Sequence, residues 1–573
     1  MGQIEEKIIK VIQSLKKIFK NYNIDGYIIP KNDEFFNEFV PESKDRLKYI
    51  SNFSGSAGFA IILKNKNFLF VDGRYTIQAG LQSGEDFKII RIPQNLPKDI
   101  FKFKKKMVIG YDPKLHSESQ LNNLFKVKNV QLKSINSNLV DIIWRNKPKD
   151  KVKPFFLIPK KKAGMSFEKK IQLVKKILLK NKVDYLFVTA PENVAWILNI
   201  RGNDNKFSPI PNSRLIIKKN GDTKLFTNPK KIKKIFRKFK IIDEKKIDIF
   251  FNTFKDKKIW LDRLSCSFFY KNILMKKNKV IDKIDPIYYL KSIKNNTEIK
   301  NMKKSHLIDG VALTKFLIWL KRNFRNKKIT EIDAQKKLEK FRSMHPSYQF
   351  PSFNTISGTG PNSAIIHYET SKKTNRVLKK GDLYLVDSGG QYLFGTTDVT
   401  RTISLENKSN FIKEVYTRVL KGHIAVSNFK IKKNSTGSQI DQEARKFLKK
   451  INLDYPHGTG HGVGYFLNVH EGPQSLSKNN KVFLRNGMIL SNEPGYYKKG
   501  SFGIRIENLV YIKKNSFKEL TIAPIDKDLI NRNILNNAEI QWINNYHKNV
   551  KRNLSRYMNS KEKLELTEAC SPI

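Results

Sequence analysis

The stretch 383–403 reads LYLVDSGGQYLFGTTDVTRTI and consists of two short apolar runs around a region rich in Gly and Thr. Such a pattern is typical of two antiparallel strands joined by turns. Each half carries one acid, Asp387 and Asp398. A lone carboxylate in a core strand is costly unless it is paired, protonated or bound to a metal. The stretch therefore predicts a positive partner beside these acids.

A second pair of strands downstream repeats this arrangement. The run GMILSNEPG at 487–495 contains Glu493, and the run GIRIENLVYI at 503–512 contains Glu507. Because strand side chains alternate between the two faces, Arg505 and Glu507 are expected on the same face of one continuous strand. The two hairpins together predict four carboxylates gathered at one place.

A glycine-rich segment between the hairpins supplies imidazoles. The sequence PHGTGHGVG at 456–464 has too much glycine for a helix, and it carries His457 and His461, with His470 following. Four close carboxylates raise one another's pKa unless cations lie among them. Oxygen-dominated ligation with one or two imidazoles suits Mn²⁺, Co²⁺ or Zn²⁺, and two such ions can share a hydroxide that attacks a carbonyl. The residues predict metal-assisted hydrolysis.

In order and local context these residues resemble the metal ligands of the "pita-bread" metallopeptidases, and the chain length resembles that of the three-domain Xaa-Pro aminopeptidases. The segment 351–368 is similar to the one that presents a substrate-side histidine in this family, here His367. The resemblance implies two divalent metal ions per chain, with Mn²⁺ expected and Co²⁺ or Zn²⁺ as alternatives. The five implied ligands are Asp387, Asp398, His461, Glu493 and Glu507.

The resemblance also implies a role for each residue. Asp398 is expected on one ion, His461 and Glu493 on the other, and Asp387 and Glu507 are expected to reach both. The implied catalytic residues are His367, His457, His470, Glu493 and Arg505. Imidazoles there would hold the scissile carbonyl, move protons and stabilise the oxyanion, and Glu493 would also accept a proton from the attacking water. The alternatives are ordinary polar histidines near turns and a plain ion pair between Arg505 and Glu507.

The implied reaction is release of the N-terminal residue from peptides with proline second, by attack of a metal-bridging hydroxide. Proline fixes φ and lacks an N–H, so peptidases that require a hydrogen-bonding strand at that position fail. A prolidase acting on Xaa-Pro dipeptides is an alternative, disfavoured because two N-terminal modules are present. A metal-free creatinase-like amidinohydrolase is disfavoured because all five ligands are present.

The predicted fold class is α/β and α+β: two related N-terminal α/β modules, similar to creatinase N-terminal domains, followed by a pita-bread catalytic domain. Apolar runs at 25–30 and 184–188 begin two similar stretches and indicate an internal repeat, and a charged, Pro-containing linker follows residue 146. The predicted domains are 1–150, 151–286, 287–515 and a C-terminal extension at 516–573. The extension is expected to contain a helix around 540–547 and a disordered polar end of about a dozen residues.

Composition leaves one rival of a different class, a non-catalytic nucleic-acid-binding protein. The 573 residues include 110 Lys and Arg against 52 Asp and Glu, a formal charge of +58, which raises the question of polyanion binding. The basic residues are spread along the whole chain, without a basic arm, a zinc finger or an RNA-recognition signature. No specific nucleic-acid partner is therefore expected.

Cysteine content and hydropathy predict the compartment. The two cysteines, Cys266 and Cys570, do not form a disulfide framework, which fits a reducing compartment. The N-terminus has early acids and no secretory apolar core, and no apolar run reaches the roughly 18 residues of a membrane span. The expectation is a cytoplasmic protein with no membrane partner, and the family resemblance implies a homodimer that associates through the catalytic domain.

Overall fold

The computed structural model describes residues 2–101, 106–125, 128–232, 239–407 and 409–573, with side chains from residue 6 onward. These residues form two compact units. The first comprises Met1–Pro159 and Met165–Tyr288, and the second comprises Lys160–Gly164 and Tyr289–Ile573. The first unit holds both N-terminal modules, and the second holds every predicted site residue.

The first module is a six-stranded mixed sheet with helices on its faces. Its strand order is β4-β3-β2-β1-β5-β6, with β1–β2 and β2–β3 antiparallel and β3–β4, β1–β5 and β5–β6 parallel. The strands are β1 Gly26–Pro30, β2 Phe59–Leu63, β3 Asn67–Asp72, β4 Lys88–Ile92, β5 Met107–Tyr111 and β6 Val130–Ser134. The helices are α1 Gly2–Lys17, α2 Arg46–Ser51, α3 Thr76–Ser83, α4 Pro97–Ile100, α5 Glu118–Phe125 and α6 Leu139–Ile143.

The second module has the same topology, which confirms the predicted internal repeat. Its strand order is β12-β11-β10-β8-β13-β14, and the parallel and antiparallel pairs fall in the same places. The strands are β7 Phe156–Leu157, β8 Tyr185–Val188, β9 Ile200–Arg201, β10 Arg214–Lys218, β11 Thr223–Thr227, β12 Lys240–Asp243, β13 Lys258–Asp262 and β14 Lys279–Lys283. Its helices are α8 Phe167–Lys180, α9 Pro191–Leu198, α10 Ile247–Asn252 and α11 Phe268–Met275. Helix α7 Lys160–Ala163 belongs to the second unit, and the division between the units falls within α12 Pro286–Ser292.

The second unit is an α+β domain built on short antiparallel sheets flanked by long helices. One sheet has the order β16-β17-β20 and another β22-β21-β23-β26-β27. The helices are α13 Asn296–Asn323, α14 Glu331–Ser343, α15 Asn410–Ser427 and α16 Gly437–Lys449. The strands are β15 Tyr348–Pro351, β16 Ile356–Thr359, β17 Leu383–Ser388, β18 Gly390–Tyr392, β19 Gly395–Thr396, β20 Val399–Ser404, β21 Gly460–Gly462, β22 Glu471–Leu476, β23 Ile489–Asn492, β24 Gly495–Lys498, β25 Phe502–Arg505, β26 Asn508–Lys513 and β27 Ser516–Glu519.

The first predicted hairpin is confirmed, whereas the second is interrupted. Strands β17 and β20 pair antiparallel along their whole length. The continuous strand predicted at 503–512 is wrong, because β25 pairs with β24 and β26 pairs with β23. The change of partner falls opposite Pro494, which has no N–H to donate to a ladder. Glu507 therefore lies between two strands rather than within one.

The prediction of a disordered C-terminus is also wrong. Helices α17 Asn537–Leu554 and α18 Ser560–Ala569 follow the last strand, and Asn559 and Glu562 form a capping box at the start of α18. Leu566 and Cys570 belong to the same hydrophobic cluster as Leu554 of α17. A few well-placed apolar residues anchor this polar helix, and composition alone did not reveal them.

Both cysteines are buried free thiols. No helix among the described residues is long and apolar enough to cross a membrane.

The packing of α18 gives a stability prediction. Leu566 is fully buried and Leu564, on the same helix, is 73% exposed. Leu566→Ala should lower the free energy of unfolding of the second unit by about 2–5 kcal/mol, because it leaves a cavity. The matched control Leu564→Ala should change it by less than about 0.5 kcal/mol. Calorimetric melting of both variants is the measurement, and equal shifts would contradict the packing of this helix.

Candidate metal centre

The first two predicted ligands come from neighbouring strands of one hairpin. Asp387 lies in β17 directly opposite Thr400 of β20, and Asp398 immediately precedes β20. Both side chains are buried. The antiparallel register thus brings together two acids that are 11 positions apart in the sequence.

The histidine ligand candidate is held in a strand that requires glycine on both sides. A Cβ on Gly460 would lie 2.0 Å from the carbonyl oxygen of Ser491, and one on Gly462 would lie 2.2 Å from that of Glu471. The backbone N–H of His461 donates to Ser491 Oγ over 2.9 Å. These close approaches fix the position of His461, which explains the glycine-rich sequence around it.

The ring of His461 is oriented with Nε2 toward the acids. Its Nδ1 lies 2.9 Å from the carbonyl oxygen of Gly462, which can only accept a hydrogen bond, so Nδ1 carries a proton. Nε2 lies 3.4 Å from Asp398 Oδ2 and 3.4 Å from Glu493 Oε1. A carbonyl that fixes the tautomer in this way is typical of metal-binding histidines.

Three of the five predicted ligands form a compact group. One ligand atom from each of Asp398, His461 and Glu507 lies within 4.8 Å of the other two. Glu493 joins this group through its 3.4 Å contact with His461, and Ser491 Oγ donates to its Oε1 over 3.0 Å. The sequence prediction assigns Asp398 to one ion and His461 with Glu493 to the other. The side-chain geometry does not show this division, because His461 Nε2 is equally far from Asp398 and from Glu493.

The electrostatics of the group show uncompensated negative charge. Burial raises the pKa of Asp387 to about 6; Arg505 opposes the shift, and Asp398 and Glu493 add to it. Burial and the charges of Asp398, Glu493 and Asp387 raise the pKa of Glu507 well above its usual range. Carboxylates in such surroundings favour added cations or protons.

His461 responds in the opposite direction to the same charges. Burial alone lowers its pKa, but the hydrogen bond to Asp398 and the negative charges of Glu493 and Asp398 prevail and raise the pKa to about 9. The raised pKa of this imidazole reflects the same excess of negative charge.

Arg505 pairs with Asp387 and not with Glu507. Its Nη2 lies 2.6 Å from Asp387 Oδ2, and its Nε donates to Thr400 Oγ1 over 3.1 Å. Thr400 Oγ1 donates in turn to Glu507 Oε2 over 2.8 Å. The plain ion pair with Glu507, considered from the strand alternation, is replaced by this indirect link, because the strand ends at Arg505.

The donor set fits divalent metal ions. Arg505 satisfies one oxygen of Asp387, whereas Asp387 Oδ1 is buried without a hydrogen-bond partner among the described residues. A buried carboxylate oxygen of this kind requires a cation or a proton. Four carboxylates with one imidazole provide oxygen-rich ligation, which suits Mn²⁺ or a similar ion.

Two of the predicted catalytic histidines, His470 and His457, contact other residues of the site. The His470 ring packs edge-to-face against His461, with centroids 4.4 Å apart. His457 Nδ1 lies 2.8 Å from the carbonyl oxygen of Gly458, and its Nε2 lies 2.9 Å from Tyr497 Oη. His470 therefore adjoins a candidate ligand directly, whereas His457 is connected through a tyrosine.

His367 lies on the segment that contacts the guanidinium. The carbonyl oxygen of its neighbour Ile366 accepts a hydrogen bond from Arg505 Nη2 over 3.4 Å, and the His367 side chain is half-buried. The structure thus places His367 next to a group bound by Arg505.

Tyr497 is a site residue that the sequence reasoning missed. Arg505 Nη1 donates to its hydroxyl over 2.6 Å, and the same hydroxyl contacts His457. Burial raises the pKa of Tyr497, so the hydroxyl remains protonated. Its position four residues after Glu493, in a tight hairpin, was the available signal.

Helix α16 fixes the loop that carries His457. Asp441 accepts from Thr459 Oγ1 over 2.7 Å, and Arg445 pairs with Asp441 at 2.8 Å and also donates to the carbonyl oxygen of His457. The loop conformation therefore depends on two residues of one helical turn.

Comparison with known proteins agrees with this fold. The profile of Metallopeptidase family M24 matches residues 300–514, and that of the C-terminal region of peptidase M24 matches 514–573. Profiles of the Creatinase/Prolidase N-terminal domain match 12–142 and 146–298. The chain belongs to metallopeptidase family M24.

Individual relatives match over nearly the whole chain. Xaa-Pro aminopeptidase 1 of Dictyostelium discoideum is 35% identical over 591 residues, covering 96% of this chain and 93% of that protein. A probable Xaa-Pro aminopeptidase P of Laccaria bicolor is 36% identical over 576 residues, covering 94% of this chain and 89% of that protein.

Solved structures give the same relationship. The X-prolyl aminopeptidase of Caenorhabditis elegans, described as a cytosolic enzyme with a di-nuclear active site, superposes with a TM-score of 0.93 at 29% identity and covers 99% of this chain and 100% of its own. The prolidase of Pyrococcus horikoshii covers 62% of this chain and 99% of its own, with a TM-score of 0.51 at 25% identity. The three-part architecture is thus shared in full with the aminopeptidase.

The charge of the site gives a prediction about metal removal. Mn²⁺ added to chelator-treated protein at about 100 times its Kd should add about 2.7 kcal/mol of stability. At this same Mn²⁺ concentration, set from the Kd at pH 8, the gain should be smaller at pH 5. In the metal-free protein the Asp387 pKa of about 6 keeps that carboxyl largely protonated at pH 5, so the metal must displace the proton.

The measurement is the melting temperature with and without Mn²⁺ at each pH. Asp398→Asn should abolish most of the gain. Glu443 is an acid of α16 whose side chain is 41% exposed, and Glu443→Gln should leave the gain intact. An equal gain in wild type and Asp398→Asn would show that Mn²⁺ binds elsewhere.

Proposed function

We propose that this chain is a metal-dependent aminopeptidase that releases the N-terminal residue from peptides with proline at the second position. One observation carries the proposal: a buried cluster of carboxylates and an imidazole lies within a three-part chain that matches an X-prolyl aminopeptidase over 99% of its length. The relatives named Xaa-Pro aminopeptidase, with 34–36% identity, support the same substrate class.

Five residues are proposed to hold two divalent ions, which we infer to be Mn²⁺ because oxygen ligands predominate. Two ions bound there would polarise the scissile carbonyl and lower the pKa of a water molecule. The ligands are Asp387, Asp398, His461, Glu493 and Glu507. The orphaned Oδ1 of Asp387 and the mutual repulsion of the acids support this assignment.

The remaining site residues position these ligands and the substrate. Arg505 holds one oxygen of Asp387 and leaves the other for a cation. Glu493 is 18% exposed in its side chain, against 5% for Asp398, so it is the acid best placed to accept a proton from water. His367 and His470 are proposed to hold the substrate carbonyl and stabilise the oxyanion.

His457 is proposed to act through Tyr497. Its Nδ1 is bound to the carbonyl of Gly458 and carries a proton, so Nε2 accepts from the tyrosine hydroxyl. That hydroxyl accepts in turn from Arg505. His457 thereby fixes the guanidinium beside Asp387 and can take up a proton at Nε2.

The architecture favours this function over that of a prolidase. The prolidase of Pyrococcus horikoshii superposes over 99% of its own length but covers only 62% of this chain. The aminopeptidase of Caenorhabditis elegans covers 99% of this chain. The additional N-terminal module is therefore a feature shared with the aminopeptidase. We infer a cytosolic location from that neighbour's description, and the homodimer implied by the family resemblance stays a prediction.

Peptide hydrolysis tests the proposal. The Mn²⁺-loaded protein should cleave the first bond of an Arg-Pro-Pro peptide and leave an Arg-Ala-Pro analogue largely intact, because only the former presents an imide at the scissile bond. Asp398→Asn should lower kcat/KM by more than about 100-fold, beyond the usual effect of residues that merely support ligands. Chromatography of the released arginine is the measurement, with Glu443→Gln as the control.

Each rival has its own outcome in the same experiment. Cleavage restricted to the dipeptide Arg-Pro would make the chain a prolidase. RNA binding that persists at about 0.15 M salt, where charge attraction is weakened, together with no hydrolysis, would favour the nucleic-acid-binding alternative.

A further inference from the structure

Arg401 is a buried arginine of β20, three residues after Asp398, that does not face the acids of the site. It is 1% exposed, and its five N–H groups lie within hydrogen-bond distance of six acceptors, all of them neutral oxygens. A buried guanidinium is costly unless its donors are satisfied. Its acceptors belong to two different parts of the second unit, and Arg401 therefore joins them.

The first group of acceptors surrounds Glu507. Arg401 Nη1 donates to the carbonyl oxygen of Glu507 over 2.6 Å and to that of Thr400 over 2.9 Å, and Nη2 donates to Asn508 Oδ1 over 2.9 Å. The backbone N–H of Glu507 donates to the carbonyl oxygen of Thr400 over 3.2 Å. Glu507 lies between β25 and β26, so no backbone hydrogen bonds of the described sheets hold it in place. The bonds from Arg401 and Thr400 fix its backbone instead.

The second group of acceptors belongs to the C-terminal extension. Arg401 Nε donates to the carbonyl oxygen of Pro524 over 2.9 Å, and Nη2 donates to that of Ala523 over 2.8 Å and to Tyr546 Oη over 3.0 Å. The Tyr546 hydroxyl donates in turn to the carbonyl oxygen of Ala523 over 2.9 Å. Tyr546 lies on α17 and is 5% exposed, so helix and guanidinium share one buried network.

Arg401 has five N–H groups, and the two on Nη2 serve three acceptors, Asn508 Oδ1, the carbonyl oxygen of Ala523 and Tyr546 Oη. Loss of the Tyr546 hydroxyl removes one of these acceptors and also the O–H that donates to the carbonyl oxygen of Ala523. A buried polar group that loses a partner costs more than the bond itself contributes, and the guanidinium shifts toward the acceptors that remain. The same guanidinium holds the carbonyl oxygen of Glu507, so a movement of Arg401 displaces the backbone of that acid. Metal ligands tolerate little displacement, since the groups that orient them strongly affect affinity.

We propose that the C-terminal extension positions Glu507 through Tyr546 and Arg401, and that the metal centre depends on this link. Both are positioning residues, because among the described residues their hydrogen bonds reach no side chain of the five proposed ligands. The inference rests on the proposed metal centre and adds a role for residues 523–546, which lie outside the strands that carry the ligands.

The test compares Mn²⁺ binding by full-length variants. Tyr546→Phe removes one hydroxyl, and Arg401→Lys keeps the charge but cannot reach both groups of acceptors. The matched control is Ile543→Val, which removes a buried methyl group of α17 without touching the network. Isothermal titration of each chelator-treated protein gives the Kd, and thermal melting records its stability.

Wild type and Ile543→Val should bind Mn²⁺ with equal Kd, even where the control melts earlier. Tyr546→Phe should weaken binding by about 10-fold and Arg401→Lys by about 10- to 100-fold. Should Arg401→Lys fail to fold, Tyr546→Phe decides alone.

The outcomes separate this inference from the proposed function. If wild type binds Mn²⁺ and Tyr546→Phe binds it with the same Kd, the positioning role is wrong and the metal centre stands. If Ile543→Val weakens binding as much as Tyr546→Phe, the effect is one of stability and the positioning role is again wrong. If wild type binds no Mn²⁺, the metal centre itself is wrong and this inference with it.

Discussion

The main constraint on the second unit is the mutual repulsion of four acidic side chains that the fold holds together in one buried place. Asp387, Asp398, Glu493 and Glu507 come from separate strands and turns. Burial and the charges of the other three acids raise the pKa of Glu507, and Asp398 and Glu493 raise that of His461. One guanidinium, Arg505, offsets part of this charge at Asp387. Such an arrangement disfavours the folded state unless bound cations or protons offset the negative charge. The fold supplies strands that hold the acids together, and in the proposed metal centre two ions would supply the compensating charge.

Several residues of this candidate site could be predicted, because each departs from the sequence pattern expected of a buried strand. An acid at the end of an apolar run, as at Asp387, and glycines on both sides of His461 contradict what a core strand requires. These departures singled out the residues that we propose as ligands, and the two apolar runs around Asp387 and Asp398 predicted the β17–β20 hairpin. The repeated N-terminal module was predictable for a related reason, since two similar orders of apolar runs lead to two sheets of identical topology.

The features that were not predicted depend on tertiary contacts. Strand alternation placed Arg505 beside Glu507, but the strand ends at Arg505 and the guanidinium reaches Asp387 of another strand. Tyr497 enters the site only because the hairpin β24–β25 folds its hydroxyl between His457 and Arg505. The order of α18 depends on the burial of a few apolar residues such as Leu566, which a polar composition conceals. Such contacts join residues distant in sequence, and local patterns do not record them.

The central claim is that two cations complete the acid cluster. It is tested most directly by anomalous scattering from crystals grown with Mn²⁺, recorded on both sides of the manganese absorption edge. The account predicts two anomalous peaks, both bounded by Asp387, Asp398, His461, Glu493 and Glu507, with Arg505 still on Asp387. Crystals that show no peak at this cluster, with its carboxylates bonded to protons or lysines instead, would contradict it.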